Sequence, residues 1–190
     1  MSDKNPTPKH DEDEQLQAHM QRMADEQFRR QMRQAAILLS QGRGAEAIPL
    51  LERCLELRPD DPNVLSNLGS AYILAGRHRH AVPHLERATA IEPQNPSFWA
   101  NLAAAYLGKL ITSTRAKQDR ALEAYRRALE LDAAYPNAHY NMGLIYIDRK
   151  DWDAAHEAFT RALETNPHDE DARRLRARVE ELRDRPSESE

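Results

Sequence analysis

From about residue 15 to residue 183, apolar positions recur along the chain with the 3.6-residue spacing of amphipathic helices. Ala, Leu, Glu and Arg dominate this stretch, and alternating runs of Val, Ile and Thr are absent, so strands are not expected. Prolines and glycines cut it into regular lengths. Pro59, Pro93 and Pro167 close helical patterns that end LELRP, AIEP and ETNP. Pro62, Pro96 and Pro136 open the next ones, where the missing N–H of a first-turn proline forfeits no intrahelical bond. Pro49 and Pro83 are expected in the first turns of second helices. Gly42 and Gly76 fall at turns between paired helices.

The cuts are periodic. Pro59 and Pro93 lie 34 residues apart, as do Ala47 and Ala81, Leu51 and Leu85, and Cys54 and Ala88. First helices carry Leu65, Leu68, Gly69 and Tyr72, then Trp99, Leu102, Ala103 and Tyr106, then His139, Met142, Gly143 and Tyr146. Second helices carry Ala47/Leu51/Cys54, Ala81/Leu85/Ala88, Ala121/Tyr125/Ala128 and Ala155/Phe159/Ala162. Small residues let two helices approach closely, and large ones fill the space between them and the next unit. These patterns, W-x2-L-G-x2-Y followed by A-x3-large-x2-small-x4-P, resemble the tetratricopeptide repeat family. The resemblance covers roughly residues 28–169. It implies an all-α fold, a right-handed α-solenoid of four helix-turn-helix units at 28–61, 62–95, 96–135 and 136–169.

Two units depart from the pattern. Unit one has Gln31, Gln34 and Ala35 where Trp, Leu and Gly would stand, and its first helix is expected to extend backward over 15–27 through Met20 and Met23. In unit three, Tyr106 and Ala121 are 15 residues apart, against nine in units two and four, so six extra residues fall within GKLITSTRAKQDR. After Pro167, residues 170–183 read as a capping helix with Leu175, Val179 and Leu182 on one stripe, started by Asp169 or Asp171. Residues 1–14, with five acids and no large aliphatic residue besides Met1, and residues 184–190 are read as disordered tails.

Composition narrows function by exclusion. The chain has 190 residues, a net charge of -4, 31% charged and 6% aromatic residues. One cysteine, Cys54, permits no internal disulfide. Neither a secretory leader nor an apolar run of membrane-spanning length is found, so a cytoplasmic protein without membrane insertion is expected. Phosphate loops, dinucleotide fingerprints, zinc-protease motifs and nucleophile elbows are absent, so neither an enzyme nor a cofactor is expected. Cys54 stands where the other units have Ala88, Ala128 and Ala162, which assigns it to packing. His80 and His84, four apart and near His78, have metal-compatible spacing. They lack a local third ligand and are read as exposed and unliganded.

The resemblance also implies where a partner binds, because in this family first helices line a concave groove that takes peptides. Register places Arg29, Arg33, Asn63, Asn67, Ser70, Asn101, Asn137, Tyr140 and Asn141 there. An asparagine amide offers donors and an acceptor, so a row of them can hold an extended main chain without reading its sequence. Arg29 and Arg33 favour an acidic or C-terminal carboxylate. Met32, Ala36, Ser97 and Asn101 occupy the places used by chaperone-tail clamps, and Asn67 alone matches, so that ligand is not expected. Lys109, Arg115, Lys117 and Arg120 form a secondary basic patch or simply a longer hairpin tip. The expected function is a non-enzymatic adaptor or scaffold for a protein or peptide. One alternative is a structural subunit that self-associates as a homo-oligomer, through Met20, Met23 and Phe28, or packs into a larger complex. Another is RNA binding through the insert and Arg173, Arg174, Arg176 and Arg178, against which the acidic net charge argues.

Overall fold

The structure, a computed structural model, describes residues 8–184; of the tails read at 1–14 and 184–190, residues 1–7 and 185–190 lie outside the described residues. The helices are α1 (Pro8–Ser40), α2 (Gly44–Leu57), α3 (Pro62–Leu74), α4 (His78–Ile91), α5 (Pro96–Leu107), α6 (Arg115–Leu131), α7 (Ala138–Asp148), α8 (Trp152–Thr165) and α9 (Glu170–Arg183). A short 3-10 turn, Leu110–Thr112, separates α5 from α6. Each helix packs on the next in sequence, and the first helix α3 also touches both α1 and α5. This is an α-solenoid, with α9 covering α8 as α3 covers α2.

Sequence chemistry fixes the helix ends. Asp61 accepts from the backbone N–H of Asn63 and Val64 at the start of α3. Asn95, Thr114, Asp151 and Asp169 likewise cap α5, α6, α8 and α9 through side-chain oxygens. Of the two aspartates read as starting α9, Asp169 makes the cap, and Asp171 pairs with Arg174 instead. Gly42 and Gly76 turn the chain with φ of 71°, where a Cβ is disfavoured. Lys150 takes the equivalent place in unit four, at φ 58°.

Three expectations about the helices need correction. Pro49 and Pro83 are the sixth residues of α2 and α4, inside those helices rather than in their first turns. Helix α1 starts at Pro8, so residues 8–14 are helical rather than tail. A proline at a first helical position and acids in the first turns both favour a helix N-terminus. Pro136 does not open a helix: Asn137 stands at φ 60° as N-cap, without a side-chain cap bond, and α7 begins at Ala138.

The small residues of the repeat sit where large ones need room. A Cβ on Gly69 would lie 2.4 Å from Leu85 Cγ, and one on Gly143 would lie 2.7 Å from Phe159 Cζ. Leu85 and Phe159 are fully buried. Cys54 is buried with Phe28 and Val64, its Sγ 3.7 Å from Gln31 Oε1, and burial pushes its thiol pKa up, as a packed rather than reactive cysteine requires. Gln31 thus occupies the core position where the repeat pattern has Trp. Arg58 lies over the Phe28 ring at 3.9 Å and pairs with Asp25 at 2.9 Å. Phe28 is therefore closed to a second copy of the chain, contrary to the expectation above.

A periodic tie between units was missed in the sequence. Tyr72 Oη donates to Glu52 Oε1 at 2.9 Å, and Tyr106 Oη donates to Glu86 Oε1 at 2.6 Å. Each bond links the second helix of one unit to the first helix of the next, across 20 residues. In unit four the pair becomes Tyr146 facing Arg126. Arg120 strengthens the middle tie, bonding Glu86 and the Tyr106 oxygen at 2.8 Å each, with its guanidinium 3.9 Å from the ring centre. Burial first, then the Glu86 carboxylate, pushes the Tyr106 pKa up to about 12. Because the folded value exceeds the ordinary one near 10, this contribution to stability is intact below pH 10 and is lost as pH rises through 12. Tyr106→Phe should cost about 1 kcal/mol at neutral pH. It should also remove a late-ionising phenol from the ultraviolet titration, and a late phenol count unchanged by the substitution would refute the tie.

Candidate peptide-binding surface

The first helices bring the predicted groove residues to α1, α3, α5 and α7, with different environments. Asn67 of α3 is half-buried and its amide makes no hydrogen bond within the described residues. Asn101 of α5 is also half-buried, and its Nδ2 donates to Ser66 Oγ on α3 at 3.3 Å. One rung is therefore tied to the neighbouring first helix, leaving Asn101 a second N–H and its carbonyl. Asn141 of α7 faces the buried Tyr125 phenol of α6, where it partly offsets the burial that pushes Tyr125 up to about 12. Ser70 Oγ donates to the Ser66 carbonyl one turn back, and Asn63 is exposed at the start of α3.

At the two ends the surface differs from the sequence picture. Arg29 and Arg33 are exposed and share a shallow depression with Arg22, Asp25 and Glu26, so their positive field is partly offset on the same helix. Tyr140 and Leu144 pack against the cluster of Phe159, Ala172 and Val179, and Tyr140 meets the Phe159 ring edge-on at 5.7 Å. Asn137, placed ahead of α7, joins Tyr135, His139, Tyr140, Thr165 and Asp169 around a cleft of about 190 Å³. Burial lowers the His139 pKa and raises that of Tyr140.

The four basic residues of the insert are not equivalent. Lys109 and Lys117 are exposed. Arg120 is committed to Glu86 and Tyr106, and the Arg115 carbonyl accepts from Arg149 Nη2 at 3.1 Å. The extra turn of α6 is docked on the end of α7 by a network the sequence reading did not foresee. Buried Gln118 donates to Asp148 at 2.7 Å and accepts from Arg149 Nε at 2.8 Å, while Arg149 pairs with Asp119 at 2.7 Å. Leu110 packs into the unit-three core, and Ile111 projects outward, 90% exposed.

His80 and His84 both stack on Tyr72, with centroids 5.5 and 5.8 Å away. His80 is exposed as expected, but His84 is half-buried, because the ring of Tyr72 covers it, and burial lowers its pKa. Among the described residues no group of three or more His, Cys, Asp or Glu is placed to hold a metal. In the capping helix, Arg178 pairs with Glu181 at 2.6 Å, Arg174 with Asp171, and Arg173 donates to the Pro167 carbonyl at 2.7 Å. Among the described residues no helix is long and apolar enough to cross a membrane.

Known structures share this architecture. A crystal structure of MamA superimposes with a TM-score of 0.70 at 22% identity, covering 84% of each chain. A thermophilic tetratricopeptide repeat protein of Thermus thermophilus gives 0.68 at 23%, covering 83% of this chain and 84% of the other. Residues 41 to the end of MamA from Desulfovibrio magneticus RS-1 give 0.64 at 22%, covering 75% and 77%. No curated protein matches the chain. The sequence itself matches models of the tetratricopeptide repeat at residues 30–94 and 136–169, and of the TPR repeat at 116–148. With the 34-residue period and the paired helices, these matches place the chain in the tetratricopeptide repeat family.

Proposed function

We propose that this chain is a non-enzymatic, cytoplasmic scaffold that holds an extended segment of another protein along its first helices. The observation that carries this reading is the row of half-buried asparagines on α3, α5 and α7, with the Asn67 amide unpartnered among the described residues and Asn101 oriented by Ser66. An extended peptide presents alternating N–H and C=O groups, and amides held in place pair with them at little conformational cost. An acidic or C-terminal end of the segment would lie toward Arg29 and Arg33. Repeats of this family support protein interaction in general; the groove and the peptide's polarity are specific to this proposal.

Peptides selected from a random displayed library against the full chain provide the probe. Replacing Asn67, Asn101 and Asn141 together by Ala should weaken the selected peptides by roughly 100-fold, since each lost hydrogen bond contributes about 1 kcal/mol. The circular dichroism spectrum should be unchanged. Calorimetric affinities unaltered by the triple substitution would remove the basis for the proposal.

A further inference from the structure

The long N-terminal helix α1 carries a second feature, independent of the asparagine row. Residues 12–23 are exposed without exception, and the ion pair of Asp25 with Arg58 marks where α1 meets α2. Along this helix Asp13, Leu16, Met20, Met23, Gln27 and Arg30 follow one another at intervals of three and four residues. That alternation is the seam spacing of a two-stranded coiled coil. Leu16, Met20 and Met23 are 55–56% exposed, a row of apolar side chains that nothing among the described residues covers.

The row is self-complementary in one orientation. Its N-terminal end is acidic, at Glu12 and Asp13, and its C-terminal end is basic, at Arg29 and Arg30. Laid antiparallel on its own copy, Met20 meets Met23, Leu16 meets Gln27 and Asp13 meets Arg30. All three pairings centre on the same point, between Gln21 and Arg22, as a two-fold axis requires. A parallel pairing would set Asp13 on Asp13 and Arg30 on Arg30. We infer that a second copy of this chain covers the seam, forming an antiparallel α1–α1 dimer with an apolar centre and an ion pair at each end. About 25 Å of helix separates Asp13 from Arg30, so the contact is smaller than a standard interface. The dimer is therefore concentration-dependent, and it leaves the asparagine row of each copy on α3, α5 and α7.

Sedimentation equilibrium of the full chain tests this. The wild type should show a monomer–dimer equilibrium, and Met20→Glu with Met23→Glu should abolish it while the helical signal is retained. Asp13→Arg alone and Arg30→Asp alone should each weaken dimerisation by roughly tenfold, because each creates two like-charge contacts per dimer. The two reversals combined should restore it, and the triple asparagine variant should dimerise like wild type. A wild type that stays monomeric at every concentration overturns the inference. So does a combined reversal as weak as either single one, since the antiparallel register requires rescue.

Discussion

Phe159→Ala should destabilise the protein by about 3–5 kcal/mol, the cost of emptying a fully enclosed aromatic site. The Phe159 side chain is fully buried, and its ring fills the space left by Gly143, the edge of Tyr140, and Ala172 and Val179 of the capping helix. For a chain of this size the loss corresponds to a fall in Tm of roughly 6–20 °C. It should also be regional. Repeat stability is approximately a sum of units and nearest-neighbour contacts, so α9 and α8 should lose hydrogen-exchange protection before α3 and α4. Phe159→Leu should recover much of the loss. A Phe159→Ala protein within about 1 kcal/mol of wild type would show that the cap does not depend on this contact.

Gly69→Ala should also destabilise, by about 1–3 kcal/mol, although local propensity alone argues the reverse. An exposed mid-helix glycine replaced by alanine gains about 1 kcal/mol. Here the new methyl group would press on the Leu85 side chain, which is itself fully buried, so Leu85 must leave its packed position or α3 and α4 must separate. Unit three carries Ala103 at the matching position, with Tyr125 in place of Leu85. The fold thus accepts a Cβ when the facing side chain differs. Gly69→Ala combined with Leu85→Val should accordingly cost less than the sum of the two single changes. Chemical denaturation of the four proteins decides the matter, and a stabilised Gly69→Ala would refute the close approach of α3 to α4.

Much of this was legible in the sequence for a definite reason. A 34-residue period constrains many positions at once, so the sequence alone assigns Gly69, Ala81, Leu85 and their counterparts to packing. Features set by relations between units were harder to see. The Tyr72–Glu52 and Tyr106–Glu86 ties repeat with the same period, and their common 20-residue separation was available as a signal. Its meaning depends on how one unit stacks on the next, which periodicity does not state. The same holds for Asn101 bonding Ser66 on the preceding first helix. The acidic stretch before residue 15 illustrates the opposite limit. Its composition resembles a disordered tail, yet acids also suit a helix N-terminus, and Pro8 supplies the start. Pro136 failed as a helix marker because the left-handed Asn137 displaces the start of α7 by two residues.

Side-chain amide resonances test most directly whether the first helices form the binding surface. In a ¹H–¹⁵N spectrum of the full chain titrated with a selected peptide, the amide groups of Asn67, Asn101 and Asn141 should shift. Asn67, which has no partner among the described residues, should shift most. Backbone resonances on the exposed faces of α4 and α8 should stay in place. Shifts confined to those second helices, with the three asparagine amides unmoved, would contradict the account.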